Sequence, residues 1–517
     1  MPSSPRSPDA AGAAAGLGAR LEAAERLIGE LREGMAVMAS AHRRELEARD
    51  VVIAGQAETI AGQADRIAQL ERRLGRDSSS SSKPPSSDSP FTKGSRNRSL
   101  REKTGRRPGK QPGAPGRTLR LSDDPDETID CAPAECGRCG RDLAREPAVR
   151  TERRQRWDIA PPPPPYITEY RKITKVCPCC QAASAGQVPA DVTSRVVYGP
   201  ETRAHAANLV SGHHVPVSRA ALLLRQMAGI KVSTGWMAGV RGRAAAALAP
   251  FMERVRALLR TAPALNADET PARAAKSLAY VHVACTRYLT CLHVAGRSAE
   301  DIDAGGVLPG YTGVLMRDGY AGYRHLTSAL HAWCGAHLLR DLKDIYDFEP
   351  REQAWASAMA DLLVQANGHA SQARAAGTDR LDGDVLAGLL ERYRALAAEG
   401  LASNQRRHTR AARDARRVAR RFRDYEDLIL RFVTDLAVTE FTNNEAERSV
   451  RPVKVQQRSS GGCWRTLEGL AEFAIVQSYL STAAKWDIDA LDALRQLFSA
   501  GPWLPPALTP DAATNAA

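Results

Sequence analysis

The sequence reads as a multidomain α+β protein, and three observations predict it. Its first 75 residues carry apolar side chains at heptad spacing with no strand pattern. Two Cys-x-x-Cys pairs follow, with alternating apolar runs between them. Beyond residue 263, short Val/Leu-rich runs end in aspartates, and residues 348–435 then read as helix after helix.

Length and charge set the frame. A chain of 517 residues has room for about two to four domains and a sizeable core. Lys and Arg outnumber Asp and Glu by 72 to 59, a net charge of +13. That excess points to a polyanionic partner, nucleic acid being the commonest, although a basic enzyme that binds no polyanion has the same composition. No apolar run approaches bilayer length, and no charged-then-apolar start marks a signal peptide. Ten cysteines without an export signal are expected to be reduced thiols or metal ligands, which places the protein in the cytoplasm, with the nucleoid.

The N-terminal arm follows a short Ala/Gly-rich tail (1–18). Leu21, Ile28 and Met35 form one heptad track and Ala24, Leu31 and Met38 a second. Leu46, Ile53, Ile60, Ile67 and Leu74 continue the pattern, offset by four residues as in a stutter. Residues 19–75 are therefore expected to form a coiled coil that makes a homo-oligomer, the alternative being an amphipathic helix folded back on its own chain. Residues 76–122 form a Ser/Pro/Gly linker, with ten Lys/Arg against the single Glu102 between Lys93 and Arg120. It buries no core and can neutralise phosphates without sequence preference, or act as a solubilising spacer.

Residues 123–192 are expected to be a zinc-ribbon-like module. Cys136 and Cys139 form one knuckle and Cys177 and Cys180 another, with 37 residues between them. Four thiolates close a tetrahedral Zn²⁺ shell. Cys131 and Cys179 are spare and could replace a ligand. Strands are expected around Val149–Ile159 and Tyr166–Val176. Residues 198–262 hold helical patterns over Pro200–Val215, Ser218–Met227 and Thr234–Arg260; the turn Gly229–Thr234 makes the middle of this segment helix-turn-helix-like. Helical hairpins with no DNA role share the pattern.

The acidic residues come next. Asp268 lies in a strand-like segment, Leu278–Thr286 and Tyr288–Ala295 alternate as a hairpin, and Gly313–Arg317 is a strand leading to Asp318. His331–His337 reads as a strand entering the helix Leu338–Tyr346. Each aspartate is thus expected at or just beyond a strand end. Much later, Phe441–Pro452 packs two amides, two glutamates and two arginines onto a helix that Thr442 or Asn443 can cap. Two aspartates and a helical glutamate make an oxygen-rich site suited to Mg²⁺, and to two-metal phosphodiester chemistry.

Ala267-Asp-Glu-Thr270, Arg317-Asp-Gly-Tyr-Ala-Gly-Tyr323, Trp333-Cys-Gly-Ala-His337 and Asn443–Pro452 together resemble the insertion sequence 66 family of bacterial DDE transposases. The heptad helix, the Ser81–Asp88 linker, the basic Gly109–Gly113 stretch and the paired knuckles extend the resemblance over nearly the whole chain. It implies a ribonuclease-H-like α/β catalytic core (263–347 and 436–482) interrupted by an all-α insertion (348–435), and an enzyme that cuts and joins mobile-element ends using Mg or Mn. By motif, Asp268 is the first acid, Asp318 the second and Glu447 the third. Cys334 and His337 match the Cys-x-x-His after the second acid, where support of the site is implied over metal ligation. Asn443, Asn444, Arg448 and Arg451 flank the third acid as supporting residues. The segment Ser459–Thr466 departs from the pattern of many members.

Within the insertion, Arg406, Arg410, Arg413 and Arg417 recur at helical spacing opposite Ala411, Ala415, Val418, Phe422 and Tyr425; with Lys454 they are candidate contacts to DNA phosphates. A solvated charged face is the alternative. Residues 483–517 supply a last helix and a Pro/Ala-rich tail. The partners implied are double-stranded element and target DNA, a second copy of the chain and helper proteins. A catalytically inactive zinc-dependent regulator and a stand-alone ribonuclease-H-like nuclease are the competing functions. Glu447, Arg451 and Lys454 share one helix face and Glu445 and Arg448 another, so Glu447 is the glutamate expected at the site.

Overall fold

The computed structural model describes residues 10–75, 120–159, 164–437 and 439–507. All but the last three residues of the expected basic linker, and the final ten residues of the chain, lie outside them. Two compact units divide at residue 76.

The first unit is one uninterrupted helix, α1 (Ala10–Gly75), about 100 Å long at 1.5 Å per residue. It begins nine residues before the expected coiled coil, because Ala-rich sequence favours helix and nothing in it stops one. Its apolar track is exposed: Leu21, Ile28, Met35, Leu46, Ile53, Ile60 and Ile67 keep 46–65% of their surface.

The second unit opens on the cysteine-bearing segment. Among the described residues, a two-stranded ribbon forms there, β1 (Thr174–Val176) against β2 (Ala183–Ala185). The strand expected over Val149–Ile159 is irregular instead, and the run from Tyr166 becomes regular only at Thr174. A strand needs a ladder partner, and Val149, Ile159 and Tyr166 stand almost fully exposed without one.

Helices α2 (Pro200–Ala207), α3 (Val217–Ala228), α4 (Thr234–Ala247) and α5 (Ala249–Arg260) follow. Gly229 ends α3 in the left-handed region at φ +68°, and the Ser233 hydroxyl caps α4 by accepting from Trp236 N–H. The helix expected over Thr234–Arg260 breaks at Leu248, since Pro250 can donate no backbone hydrogen bond. These helices do not form a separate core. They pack with α14 (Leu467–Lys485), α15 (Ala490–Ala500) and one face of the sheet around Phe251, Leu259, Leu265 and Tyr479.

The sheet has five strands: β3 (Ala264–Ala274), β4 (Ser277–Cys285), β5 (Thr290–Ala295), β6 (Val314–Arg317) and β7 (Leu330–Trp333), in the order β5-β4-β3-β6-β7. The first three are antiparallel; β6 and β7 run parallel to β3. A short helix, α6 (Ala299–Asp303), bridges β5 to β6. Both edges are shielded. Along β5, the N–H groups of Thr290 and Leu292 donate to the Thr482 and Ser478 hydroxyls of α14, and at β7 Arg431 donates to the His331 carbonyl. The other face of the hairpin carries α13 (Asn444–Ser459) over Val281, Val283, Ala446 and Val453.

Helix α7 (Gly335–Phe348) leaves β7 for the insertion: α8 (Ala354–Ala375), α9 (Gly383–Asn404), α10 (Arg410–Asp424), α11 (Glu426–Ile429) and α12 (Arg431–Thr434). It has its own core around Trp355, Tyr393 and Phe422. Gly400 lets α9 lie against the Trp355 ring, where an added Cβ would come within 2.6 Å.

Across β4 and β5, His282 pairs with His293 and the rings stack at 4.7 Å. Their Nε2 atoms face the Gly296 and Asp301 carbonyls. Burial lowers both, His293 to about 4. An unfolded histidine titrates near 6.5, so this stability is intact above that pH and is lost as pH falls toward 4. At about 1.4 kcal/mol per unit, the loss from His293 is of the order of 3 kcal/mol. Chemical denaturation at pH 7 and 4.5 tests it: wild type is expected to lose more stability than His293→Gln, and equal losses would remove the histidine from the account.

Candidate active site

The parallel pairing brings the first two acids together. Asn266 faces Met316, so two residues on Asp268 faces Asp318, just past the end of β6. Asp318 sits beyond its strand as expected. Asp268 does not: it lies in the middle of β3, because the antiparallel ladder with β4 continues to Ala274 after β6 has ended. The loop after Asp318 is tied down from both sides. Tyr320 N–H donates to Asp318 Oδ1 at 2.8 Å, and the buried Arg317 guanidinium donates to the Asp318 and Tyr320 carbonyls.

The third acid arrives on α13. Asn443 sits at its N-cap, yet its side chain does not cap the helix. Its Nδ2 donates to the Ala267 carbonyl at 2.8 Å, its Oδ1 accepts from Asn266 Nδ2 at 3.0 Å, and its backbone N–H donates to Cys334 Sγ at 3.2 Å. Gly335 N–H donates to the Phe441 carbonyl, and a Cβ on Gly335 would fall 2.1 Å from the Phe441 ring. The start of α13 is thus locked against both β3 and the β7–α7 turn. One turn into the helix, Glu447 Oε1 lies 3.9 Å from His337 Nδ1. Among the described residues, Cys334, His337 and Glu447 are the one group of three or more ligand-type side chains whose ligand atoms lie within 4.8 Å of one another.

Burial dominates the electrostatics, and crowded charge adds to it. Burial raises the Asp268 carboxyl well above its usual range, and the neighbouring Glu269 and Asp318 add to the effect; His337 opposes it. By accessible area Asp268 is only part-buried, but protein atoms surround its carboxyl and their crowding is what the group feels. Burial pushes His337 down, but the Cys334 thiol beside it prevails and lifts it to about 9. Burial likewise pushes Cys334 up, and His337 more than reverses it. Unneutralised carboxylates on adjoining strands fit a divalent cation, which would relieve their repulsion. A cavity of about 250 Å³ opens beside them, lined by Asp318, Cys334, His337, Arg297, Asp341 and Arg421 among others.

Other expected residues fall elsewhere. Asn444, Arg448 and Arg451 are exposed. Glu445 pairs with Arg448 and Lys485, which leaves Glu447 as the glutamate at the site. Lys454, expected to meet DNA, turns inward and donates to the Pro271 carbonyl; burial lowers it to about 8. The arginine face is displaced as well. Arg406 lies in the turn before α10, which starts only after the Thr409 cap. Arg410, Arg413 and Arg417 are exposed, while Ala412, Ala415, Ala419 and Phe422 form the packed side.

The knuckles share one backbone turn. Cys136 N–H donates to the Arg141 carbonyl and Gly140 N–H to the Cys136 carbonyl; Cys177 with Ala182, and Gln181 with Cys177, repeat both bonds. Gly140 and Gln181 are both left-handed, at φ +73° and +59°. Cys136 and Cys139 therefore occupy the same places as Cys177 and Cys180, with Cys131 and Cys179 outside the repeat. Backbone N–H groups and the partner thiol lower Cys136 and Cys177. The structure does not gather the two pairs into one four-thiolate shell.

Glu269 escaped the sequence reading. Its buried carboxylate accepts from Arg297 at 2.7 Å and from the Tyr323 hydroxyl at 2.9 Å. Its place beside Asp268, with Tyr323 in the motif of the second acid, was the available signal.

Residues 195–471, more than half of the chain, match the family model Transposase IS66 family, and the protein is accordingly a DNA-processing transposase. It belongs to that family. Residues 19–120 match a family of unknown function. Comparison with curated proteins gives no match.

Removing one charge from the crowd tests the electrostatics. Asp268→Asn is expected to raise the thermal midpoint in EDTA, since a buried repulsion disappears. Added Mg²⁺ is expected to stabilise wild type more than the variant. A lowered midpoint in EDTA would show that Asp268 is not under repulsive load.

Proposed function

We propose that the protein cleaves the ends of a mobile DNA element and joins them to target DNA, using a divalent metal, Mg or Mn, at a ribonuclease-H-like core. The observation that carries this reading is the pair Asp268 and Asp318 on adjacent parallel strands, with Glu447 on a helix clamped to the first of them and 3.9 Å from His337, whose charge acts on Asp268. Three antiparallel strands continued by two parallel ones, interrupted by a helical insertion, support the fold assignment.

Asp268, Asp318 and Glu447 would hold the metal, which when bound supplies an activated attacking oxygen and neutralises charge on the scissile phosphodiester. The chain's own groups do the rest. Arg317 and the Tyr320 N–H fix the Asp318 loop, so its carboxylate is presented without reorganisation. Asn443 fixes the start of the Glu447 helix to the backbone beside Asp268 through its buried side-chain amide. Arg297, on the cavity wall, is held by Glu269 and by the face of Tyr320 at 3.8 Å, and can meet a phosphate at a set position. The exposed Arg410, Arg413 and Arg417 supply phosphate contacts with no sequence preference. The exposed apolar track of α1 is suited to pairing with a second copy, which would set two element ends in one complex. The twin knuckles each present a cysteine pair on the same turn, and a structural zinc held by Cys136, Cys139, Cys177 and Cys180 would draw the two pairs together.

Two measurements check this. With labelled element-end DNA and Mg²⁺, wild type is expected to nick and join, and Asp268→Asn, Asp318→Asn and Glu447→Gln each to fall to background while still binding DNA; three variants cleaving like wild type would end the proposal. Exchange of Cys136 and Cys177 for Ser is expected to remove one zinc from the purified chain, with Cys131→Ser and Cys179→Ser unchanged.

A further inference from the structure

Beside the carboxylates lies a set of donors that oxygen chemistry does not explain. We infer that Cys334, His337 and Glu447 form a second metal site, of the zinc class, which shares Glu447 with the carboxylate site. The inference rests on the reading of Glu447 as the third acid only for its effect on cleavage; binding itself depends on the three side chains alone.

The ligand atoms of these residues lie within 4.8 Å of one another. Thiolate, imidazole and carboxylate suit Zn²⁺ or Co²⁺, whereas Mg²⁺ prefers an all-oxygen shell. Three protein ligands with one position open are the plan of a zinc site that exchanges its fourth ligand. Cys334 is the N-cap of α7 and His337 lies three residues on, so both face one side of the first turn, where the helix start favours a thiolate. Cys334 is held there by the Asn443 N–H, a bond its sulfur can keep while ligating. His337 Nδ1 is buried and has no hydrogen-bond partner. Glu447 Oε1, 3.9 Å away, is beyond hydrogen-bond reach, and a metal ion between the two would satisfy both. Cys334 and His337 both line the 250 Å³ cavity, which gives an ion a way in.

Divalent first-row ions bind such a set in an order that puts Zn²⁺ near the top and far above Mg²⁺. An ion on Cys334 and His337 therefore competes for Glu447. Zinc-class ions would hold the enzyme inactive, and their withdrawal would release the third acid.

The test uses the full chain, stripped with chelator and titrated with ZnCl₂, then with CoCl₂ for its thiolate absorption. Wild type and Asp268→Asn are expected to retain one equivalent more than Cys334→Ser or His337→Gln, and the cobalt spectrum of Cys334→Ser to lack one thiolate's contribution. Circular dichroism of the stripped proteins identifies any variant that fails to fold, and the other then decides. In Mg²⁺-driven cleavage, zinc is expected to inhibit wild type at concentrations at least about tenfold below those that inhibit His337→Gln. Equal zinc equivalents and equal cobalt spectra in wild type and both variants would overturn the site. The binding arm needs no activity: a chain that binds the extra zinc but cleaves nothing keeps the site and loses the proposed function.

Discussion

Everything at the candidate site hangs on the Asn443 side chain. One amide ties the backbone beside Asp268 to the start of the helix bearing Glu447, while the same residue's N–H reaches the sulfur that opens α7. These partners lie 176 and 109 residues away in sequence. Asn443 is fully buried, so each of its bonds is made in a low-dielectric interior and leaves no polar group unpaired. A loop closed across a whole helical insertion thus ends on a hydrogen bond of fixed geometry. Gly335 and Phe441 reinforce it sterically, since only a glycine leaves room for the ring.

That rigidity has work to do against charge. Asp268, Glu269 and Asp318 stand near one another, and among the described residues Arg297 serves Glu269 while His337 acts on Asp268. A flexible site would relax by swinging the carboxylates apart. Here the shielded sheet edges, the bound Asp318 loop and the Asn443 clamp hold the surrounding backbone, and burial, helped by neighbouring charge, raises Asp268 and Glu269 above the usual carboxylate range. A bound cation would relieve that crowding, as the proposed function requires.

How much of this could be read from sequence depended on whether the signal was local. The hairpin follows from residue type and short spacing, whereas Asp268, Asp318 and Glu447 are named through the family motifs that carry them. The choice of Glu447 over Glu445 rests on helical periodicity and on the family pattern together, and in the fold Glu445 pairs with Arg448 and Lys485. Contacts across long separations were invisible. Asn443 has the composition of a helix cap, and nothing nearby in sequence says that its amide belongs to β3. Lys454 shares a face with Glu447, but that face meets the backbone of β3 at Pro271. The strand pattern at Val149–Ile159 failed for a different reason: alternation shows that a segment could pair, not that a partner strand exists.

The arginines of α10 show how a composition signal can hide two roles. Read as one stripe, they look like a phosphate-binding surface. In the fold, Arg416 and Arg421 turn inward while Arg413 and Arg417 stay in solvent. Arg421 pairs with Asp341 on α7, and its guanidinium lies 5.8 Å from the Trp333 ring, against which Tyr425 also packs. Helix α7, which carries His337, is therefore held between the sheet and the insertion. Arg421 and Asp341 both line the cavity beside Asp318, so the insertion forms one wall of the candidate site. It follows that the helical insertion is not a spacer placed between the second and third acids. It packs against α7 through Arg421 and Asp341 and supplies Arg421 to the cavity wall beside Asp318.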